Sequence, residues 1–142
     1  MEIWKNVIGF ESQYEVNSNG DVRRKKVETV YKDGRIAHFS NNVLKQSPNK
    51  KGYMRVYLSL NSKKYTKTVH RIVAEAFIEN PQNKRTVNHK DRNKLNNSVE
   101  NLEWATNLEN MQHAFINGSF KERDKTTILN IKHMRKKLCQ QF

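Results

Sequence analysis

A chain of 142 residues, 35% of them hydrophobic, with a mean hydropathy of -0.96, can bury one modest core or two small ones sharing an interface, which excludes a large enclosed active site. Its 27 Lys and Arg against 14 Asp and Glu leave a formal net charge of +13, so phosphate polymers are the natural partner, ahead of an acidic protein or an anionic membrane surface. The single Cys139 excludes an internal disulfide and a zinc finger built from several cysteines.

The first residues, Met1 to Val7, mix Glu2, Trp4, Lys5 and Asn6 with apolar side chains. They do not resemble a secretory signal, so the protein is expected to stay inside a cell. The large apolar groups between Ile3 and Phe10 can anchor a small core. Tyr14-Glu15-Val16 and Val22-Arg23-Arg24 flank Asn17-Ser18-Asn19-Gly20-Asp21, where Asn-Gly favours the positive φ of a tight or bulged hairpin turn. A second hairpin is predicted from Val27 to Tyr31, a turn at Asp33-Gly34, and a return through Ile36 and Phe39. The polar stretch from Ser40 to Lys51, with Pro48 and Gly52 near its end, reads as a linker and sets a module boundary at residue 48.

Beyond it, Met54, Val56, Leu58 and Leu60 alternate with Arg55, Tyr57 and Ser59, the pattern of a strand with one core face. Residues Tyr65 to Val69 supply the return strand. The spacing then changes to helical over His70 to Ile78, with Val69, Val73 and Phe77 on one face. Short strands are predicted at Arg85 to His89 and Val99 to Ala105, joined by a polar loop. Thr106 and Glu109 form a capping box for a helix with the stripe Leu108, Met111 and Phe115, closing at Asn117-Gly118. In the last segment Ile128, Ile131, Met134 and Leu138 recur at helical intervals among Lys132, Arg135, Lys136 and Lys137, a basic helix suited to phosphate contacts. No run approaches the roughly 18 apolar residues of a membrane helix, so no membrane partner is expected.

The chemistry centres on His89. A neutral imidazole takes a proton from water near neutral pH if its other ring nitrogen is held by a hydrogen bond, and Asn101 on the opposing strand is the expected holder. The side-chain oxygens of Asn88 and Asn110 are candidate ligands for Mg²⁺ or a similar hard cation, with phosphate and water completing the shell. Asp91 is expected to organise the loop after His89, and His113 to pack beside the helix. Arg71 is a candidate phosphate clamp, because guanidinium bonds two oxygens in fixed geometry. Trp104 reads as a core residue, and Tyr53, Tyr57 and Tyr65 as sheet residues.

These residues carry a resemblance. The block from His70-Arg71-Ile72-Val73-Ala74-Glu75-Ala76-Phe77 to Pro81, then Val87-Asn88-His89-Lys90-Asp91, Asn96-Asn97, Glu100-Asn101-Leu102-Glu103-Trp104 and Glu109-Asn110, resembles the HNH endonucleases of the ββα-metal class encoded by phages and group I introns. The start, with Ile3-Trp4-Lys5, Tyr14-Glu15-Val16 and Asn19-Gly20-Asp21-Val22-Arg23, resembles a module often placed before such nuclease domains in homing endonucleases.

The resemblance implies that His89 activates water, Asn101 orients it, and Asn110 binds metal. It further implies hydrolysis of double-stranded DNA that leaves a 5′ phosphate and a 3′ hydroxyl. Two departures are visible: the residue before the histidine is often Asp in this superfamily and is Asn88 here, and the final metal-binding histidine of some relatives is matched by Asn110, which leaves His113 as an alternative ligand if it does not simply pack beside the helix.

The expected protein is therefore an α+β chain with a β-rich DNA-associated module at 1–48, an HNH nuclease domain at 49–118 and a basic helical tail at 119–142. Its expected activity is Mg²⁺-dependent strand nicking, with Mn²⁺ as a substitute and with no required protein partner. A phage-encoded enzyme of this kind would work in the cytoplasm of its bacterial host. The alternatives are a noncatalytic DNA-binding protein that keeps the fold, and an RNA-binding or RNA-processing protein.

Overall fold

The computed structural model of the protein describes residues 2–118. The basic tail, and with it Lys132, Arg135, Lys136 and Lys137 as phosphate contacts, lies outside the described residues. The chain divides into two compact units: residues 2–83 with 87–104, and residues 84–86 with the segment that begins at Ala105. No helix among the described residues is long and apolar enough to cross a membrane.

The first unit begins with three antiparallel strands, β1 (Trp4–Asn6), β2 (Tyr14–Asn17) and β3 (Val22–Arg24). The β2–β3 pairing brings Val16 opposite Val22, both fully buried. Asn17 makes the intervening turn. Its Oδ1 accepts from the backbone N–H groups of Asn19 and Asp21 at 3.1 and 2.8 Å, and its Nδ2 donates to Glu2 and Asp21. An amide can sit in this core because both of its ends are satisfied. The second hairpin forms as expected from β4 (Val27–Val30) and β5 (Ile36–Phe39), and Val30, Tyr31 and Ile36 near its tip stay exposed.

The strand β6 (Ser47–Pro48) pairs with the edge of β7 (Met54–Leu60), and β7 pairs along its length with β8 (Lys63–Thr68). The tight turn between them holds Asn61 and Ser62 at positive φ, the conformation that matches the twist of a two-residue hairpin. Alternation on β7 buries Val56 and Leu58. The helix α1 (Val69–Phe77) then packs Val69, Ile72, Val73 and Ala74 into the same core.

This core also takes Val7, Phe10, Tyr14, Val16 and Val22 from the N-terminal segment and Val87 and Leu102 from the later ribbon. Composition placed a boundary at residue 48, which is the end of β6. The buried cluster draws on both sides of that point, so the larger unit has one core.

Two further ties join the early turn to the later loop. Val99 N–H donates to the Ser18 carbonyl at 2.9 Å, and Gly20, at φ +94°, presses its backbone against Asn97. A Cβ on Gly20 would lie 3.0 Å from the Asn97 Cβ and 3.1 Å from its carbonyl oxygen. Gly20→Ala therefore combines a backbone conformation unfavourable to L residues with a close contact, and is expected to cost about 2 kcal/mol of stability. Urea denaturation measures it, and an unchanged midpoint would show that the contact gives way at no cost.

The strands β9 (Thr86–His89) and β10 (Leu102–Ala105) pair as a two-stranded ribbon, as the sequence indicated, with the second strand shorter than expected. Val99–Asn101, expected as the start of that strand, forms a single 3₁₀ turn. In the second unit α2 (Asn107–Ile116) opens with the anticipated capping box, Thr106 accepting from Glu109 N–H and Glu109 accepting from Thr106 N–H. Gly118 stands just past its end at φ +67°. The stripe on α2 is not buried: Leu108 and Met111 are 52% and 43% exposed.

Candidate active site

His89 ends β9 and is 5% exposed. Its Nε2 lies 2.9 Å from Asn97 Oδ1. An amide oxygen only accepts, so Nε2 carries a proton, and in the neutral ring Nδ1 is the nitrogen that keeps its lone pair. No other hydrogen bond engages the ring among the described residues. The imidazole is thereby held in one orientation and one tautomer, with one basic nitrogen left over.

Asn101, expected to hold this ring, does something else. It lies on the 3₁₀ turn, where its Oδ1 accepts from Asp91 N–H at 3.0 Å and its Nδ2 donates to Asp91 Oδ1 and to the Asn96 carbonyl at 2.9 and 2.8 Å. Every polar end of the side chain is used to close the loop between the strands, so none is left for His89. The hydrogen bond assigned to Asn101 belongs to Asn97, which is 5% exposed.

Asp91 is the partner of Asn101 in that loop, as the sequence indicated. It also accepts from Asn93 N–H and Asn96 Nδ2. The hydrogen bond from Asn96 is the largest of several effects that hold its carboxyl below the usual range, followed by that from Asn93.

The rings around His89 form a wall that the sequence did not announce. Tyr53, just before β7, lies 4.8 Å from the ring of His70 and 5.9 Å from that of His89, and the two histidines are 5.2 Å apart. His70 is 8% exposed and its Nδ1 is buried without a hydrogen-bond partner. Burial pushes its pKa down to about 4, helped by His89 and Arg71, so near neutral pH it is an uncharged ring. Arg71 itself is exposed on α1.

The side-chain oxygens of the asparagines sort them by what they can still bind. Asn101 has none to spare, and the oxygen of Asn97 is taken by His89. Asn88, half-buried on β9, donates its Nδ2 to Glu103 Oε1 on β10 at 2.9 Å, and its Oδ1 has no hydrogen bond among the described residues.

In the second unit the Thr86 hydroxyl gives its only proton to the Ala105 carbonyl. It can therefore only accept from Asn110 Nδ2, at 2.8 Å. That leaves Asn110 Oδ1 buried with no partner. A buried orphan acceptor is costly unless something fills it, and an oxygen ligand for a hard cation is one such use.

Each of the two residues expected as ligands thus has its amide nitrogen turned to an acceptor and its oxygen left open. Amide oxygens of this kind fit a weakly held Mg²⁺ or Mn²⁺. No three His, Cys, Asp or Glu side chains cluster as a metal site among the described residues.

A paired ribbon with a histidine at the end of its first strand, followed in the chain by a helix with a capping box, is the element order of a ββα-type fold. Comparison with known proteins agrees. The HNH endonuclease family matches residues 67–112, and the NUMOD4 motif matches residues 2–59. The DNA endonuclease I-HmuI of Bacillus phage SP01 is 33% identical over 132 residues, which cover 93% of this chain and 68% of that protein. A solved structure of that enzyme, titled for DNA binding and cleavage by the HNH homing endonuclease I-HmuI, superposes with a TM-score of 0.69 at 33% identity, covering 92% of this chain and 68% of the other.

Two HNH endonucleases of Acanthamoeba polyphaga mimivirus are each 41% identical, over 81% and 82% of this chain. The chain spans less than a third of their length, 30% and 27%. The chain belongs to the HNH homing endonuclease family, with a NUMOD4-like N-terminal module.

Asn97, Tyr53 and Glu103 were the residues that sequence reasoning passed over as parts of the site. Asn97 sat in view within the Asn96-Asn97 pair, but one asparagine in a polar loop full of them carries no mark of its partner. The structure supports a direct check. Asn97→Ala should leave the fold and DNA affinity near the parent and lower the cleavage rate by about 10-fold, the lower end of what loss of an orienting hydrogen bond costs. A parental rate would show that the ring wall alone orients His89.

Proposed function

We propose that the chain is a metal-dependent DNA endonuclease that nicks one strand of double-stranded DNA, leaving a 5′ phosphate and a 3′ hydroxyl. The observation that carries this reading is the His89 imidazole, buried, pinned at Nε2 by Asn97 and free at Nδ1. In it His89 Nδ1 takes a proton from the attacking water, and the resulting hydroxide displaces the 3′ oxygen at phosphorus, which leaves as an alkoxide and takes a proton from solvent. The neutral His70 and Tyr53 shield one side of the base from solvent without adding charge.

Asn88 would be a ligand of a divalent ion, Mg²⁺ or Mn²⁺, which when bound supplies positive charge against the transition state and the departing oxygen. Asn110 is proposed for this role on the family resemblance and on its own orphaned oxygen. Asn101 contributes by closing the loop that carries Asp91 and Asn96, which makes it a positioning residue. Arg71 is proposed as a phosphate contact, as are the basic residues of the tail. One histidine base acts on one strand, which is why nicking is preferred to a double-strand break.

The test is incubation of the chain with supercoiled plasmid and with RNA of matched length, with Mg²⁺, with Mn²⁺ and with chelator. Conversion of plasmid to open circles only where metal is present, with the RNA intact, is the expected result. Absence of nicking with both metals would leave a noncatalytic DNA-binding protein, and equal loss of RNA would favour RNA processing.

A further inference from the structure

The pairing of Asn88 with Glu103 has a directional consequence. An ionised carboxylate has no proton to give, so the side of the Asn88 amide that faces Glu103 must be its NH₂ group. The oxygen is then turned to the opposite side, where it meets no donor among the described residues. The two residues sit on the paired strands β9 and β10, so the orientation is fixed by a rigid ribbon, not by a loop.

A hydrogen bond to a carboxylate is also charge-assisted. It draws the amide proton toward Glu103 and leaves more negative charge on the amide oxygen, which makes a neutral ligand a better donor to a cation.

We propose that Glu103 is a positioning residue for metal binding, which aims the Asn88 oxygen at the ion and polarises it, so that the Asn88–Glu103 pair together supplies the charge and the oxygen. The inference rests on the nuclease reading above, in which Asn88 is a ligand. It differs from a structural strand tie in what it demands of residue 103. A strand tie needs only a hydrogen bond, which glutamine can also make. Metal binding through Asn88 needs an acceptor with a charge, because a glutamine at this position could present either end of its amide and would leave Asn88 free to turn over.

The experiment compares the parent with Glu103→Gln, Asn88→Asp and the double variant Asn88→Asp/Glu103→Gln. All are made in a His89→Ala background and bound to duplex DNA, so that no substrate is consumed. Mn²⁺ binding is followed by the loss of the free-ion electron paramagnetic resonance signal, and thermal midpoints are recorded beside it.

Glu103→Gln should weaken Mn²⁺ binding by about 10-fold with little change in midpoint. The double variant moves the charge to residue 88 and lets the introduced glutamine donate to it, so its Mn²⁺ affinity should return to the parental value or exceed it. Asn88→Asp alone sets two carboxylates against each other, and should lower the metal-free thermal midpoint and recover it on Mn²⁺ addition.

Parental Mn²⁺ affinity in folded Glu103→Gln would overturn the proposal and leave the nuclease reading intact. Should Glu103→Gln fail to fold, a folded double variant that binds about 10-fold or more below the parent would overturn it equally. If the starting protein binds no Mn²⁺ and the chain with His89 restored nicks no plasmid, both readings fall together.

Discussion

Replacing His89 with alanine is expected to lower metal-dependent nicking by about 100-fold or more, the scale on which enzymes lose general-base assistance, while DNA affinity stays within a few-fold of the parent. The split follows from where the ring sits. His89 is buried among Tyr53, His70 and Asn97, so its side chain adds little to a docking surface, and the charge that attracts DNA lies on residues that the substitution leaves alone. Nicking rate and DNA affinity should be measured on the same plasmid preparation. A near-parental rate would remove His89 as the required base, and a matched loss of affinity would point to collapse of the ring wall. Asn97→Ala should then fall between the parent and His89→Ala, because it removes the orientation of the base and leaves the base itself in place.

Acid should unfold the protein earlier than its carboxylates alone would dictate. His70 has its pKa pushed down to about 4 in the folded chain from an ordinary value of 6.5, chiefly because burial disfavours the imidazolium. Its Nδ1 has no acceptor to receive a second N–H. Between those two values the unfolded chain binds a proton that the folded chain refuses. Folding stability from this residue is therefore complete above about pH 6.5 and is lost as pH falls toward 4, in total by about 3 kcal/mol.

Asp91 and Glu109, whose carboxyls are held below the usual range by hydrogen bonds from Asn96 and from the Thr106 backbone respectively, add their losses at lower pH. The windows separate the two causes. Urea midpoints taken at pH 7, 6 and 5 should fall steadily for the parent and much less for His70→Gln. A parent that is equally stable at pH 7 and 5 would show that His70 accepts its proton in the fold.

Both predictions depend on contacts between residues far apart in the chain, and here the sequence and the structure part company. The two early hairpins, the strands β7 to β10, α1 and the capping box of α2 were readable because each is dictated by neighbours, whereas β6 fell in the stretch read as a linker. Alternation of Val56 and Leu58 defines a buried strand face, Asn17 to Asp21 a turn, and Thr106 with Glu109 a helix start. The candidacy of His89 as the base was readable too, since its spacing to Asn88, Asn101 and Asn110 is a local pattern.

Local pattern did not extend to the burial of the α2 stripe, where Leu108 and Met111 stay exposed. Periodicity shows which residues share a face and leaves open what, if anything, covers it. Nor did composition choose between one core and two small ones, because a polar linker marks a surface crossing and not the end of packing.

What the sequence determined by itself was most of the elements, the basic charge and, through resemblance, the family and the candidacy of His89 as the base, which follow from short-range spacing and residue type. What only the tertiary structure decided was the allotment of hydrogen bonds among chemically identical asparagines. Asn97 holds the His89 ring, Asn101 closes the loop, and Asn88 and Asn110 keep their oxygens open. An amide side chain has one acceptor end and one donor end, and which partner each end finds depends on angles and distances of a few ångströms that no spacing along the chain records.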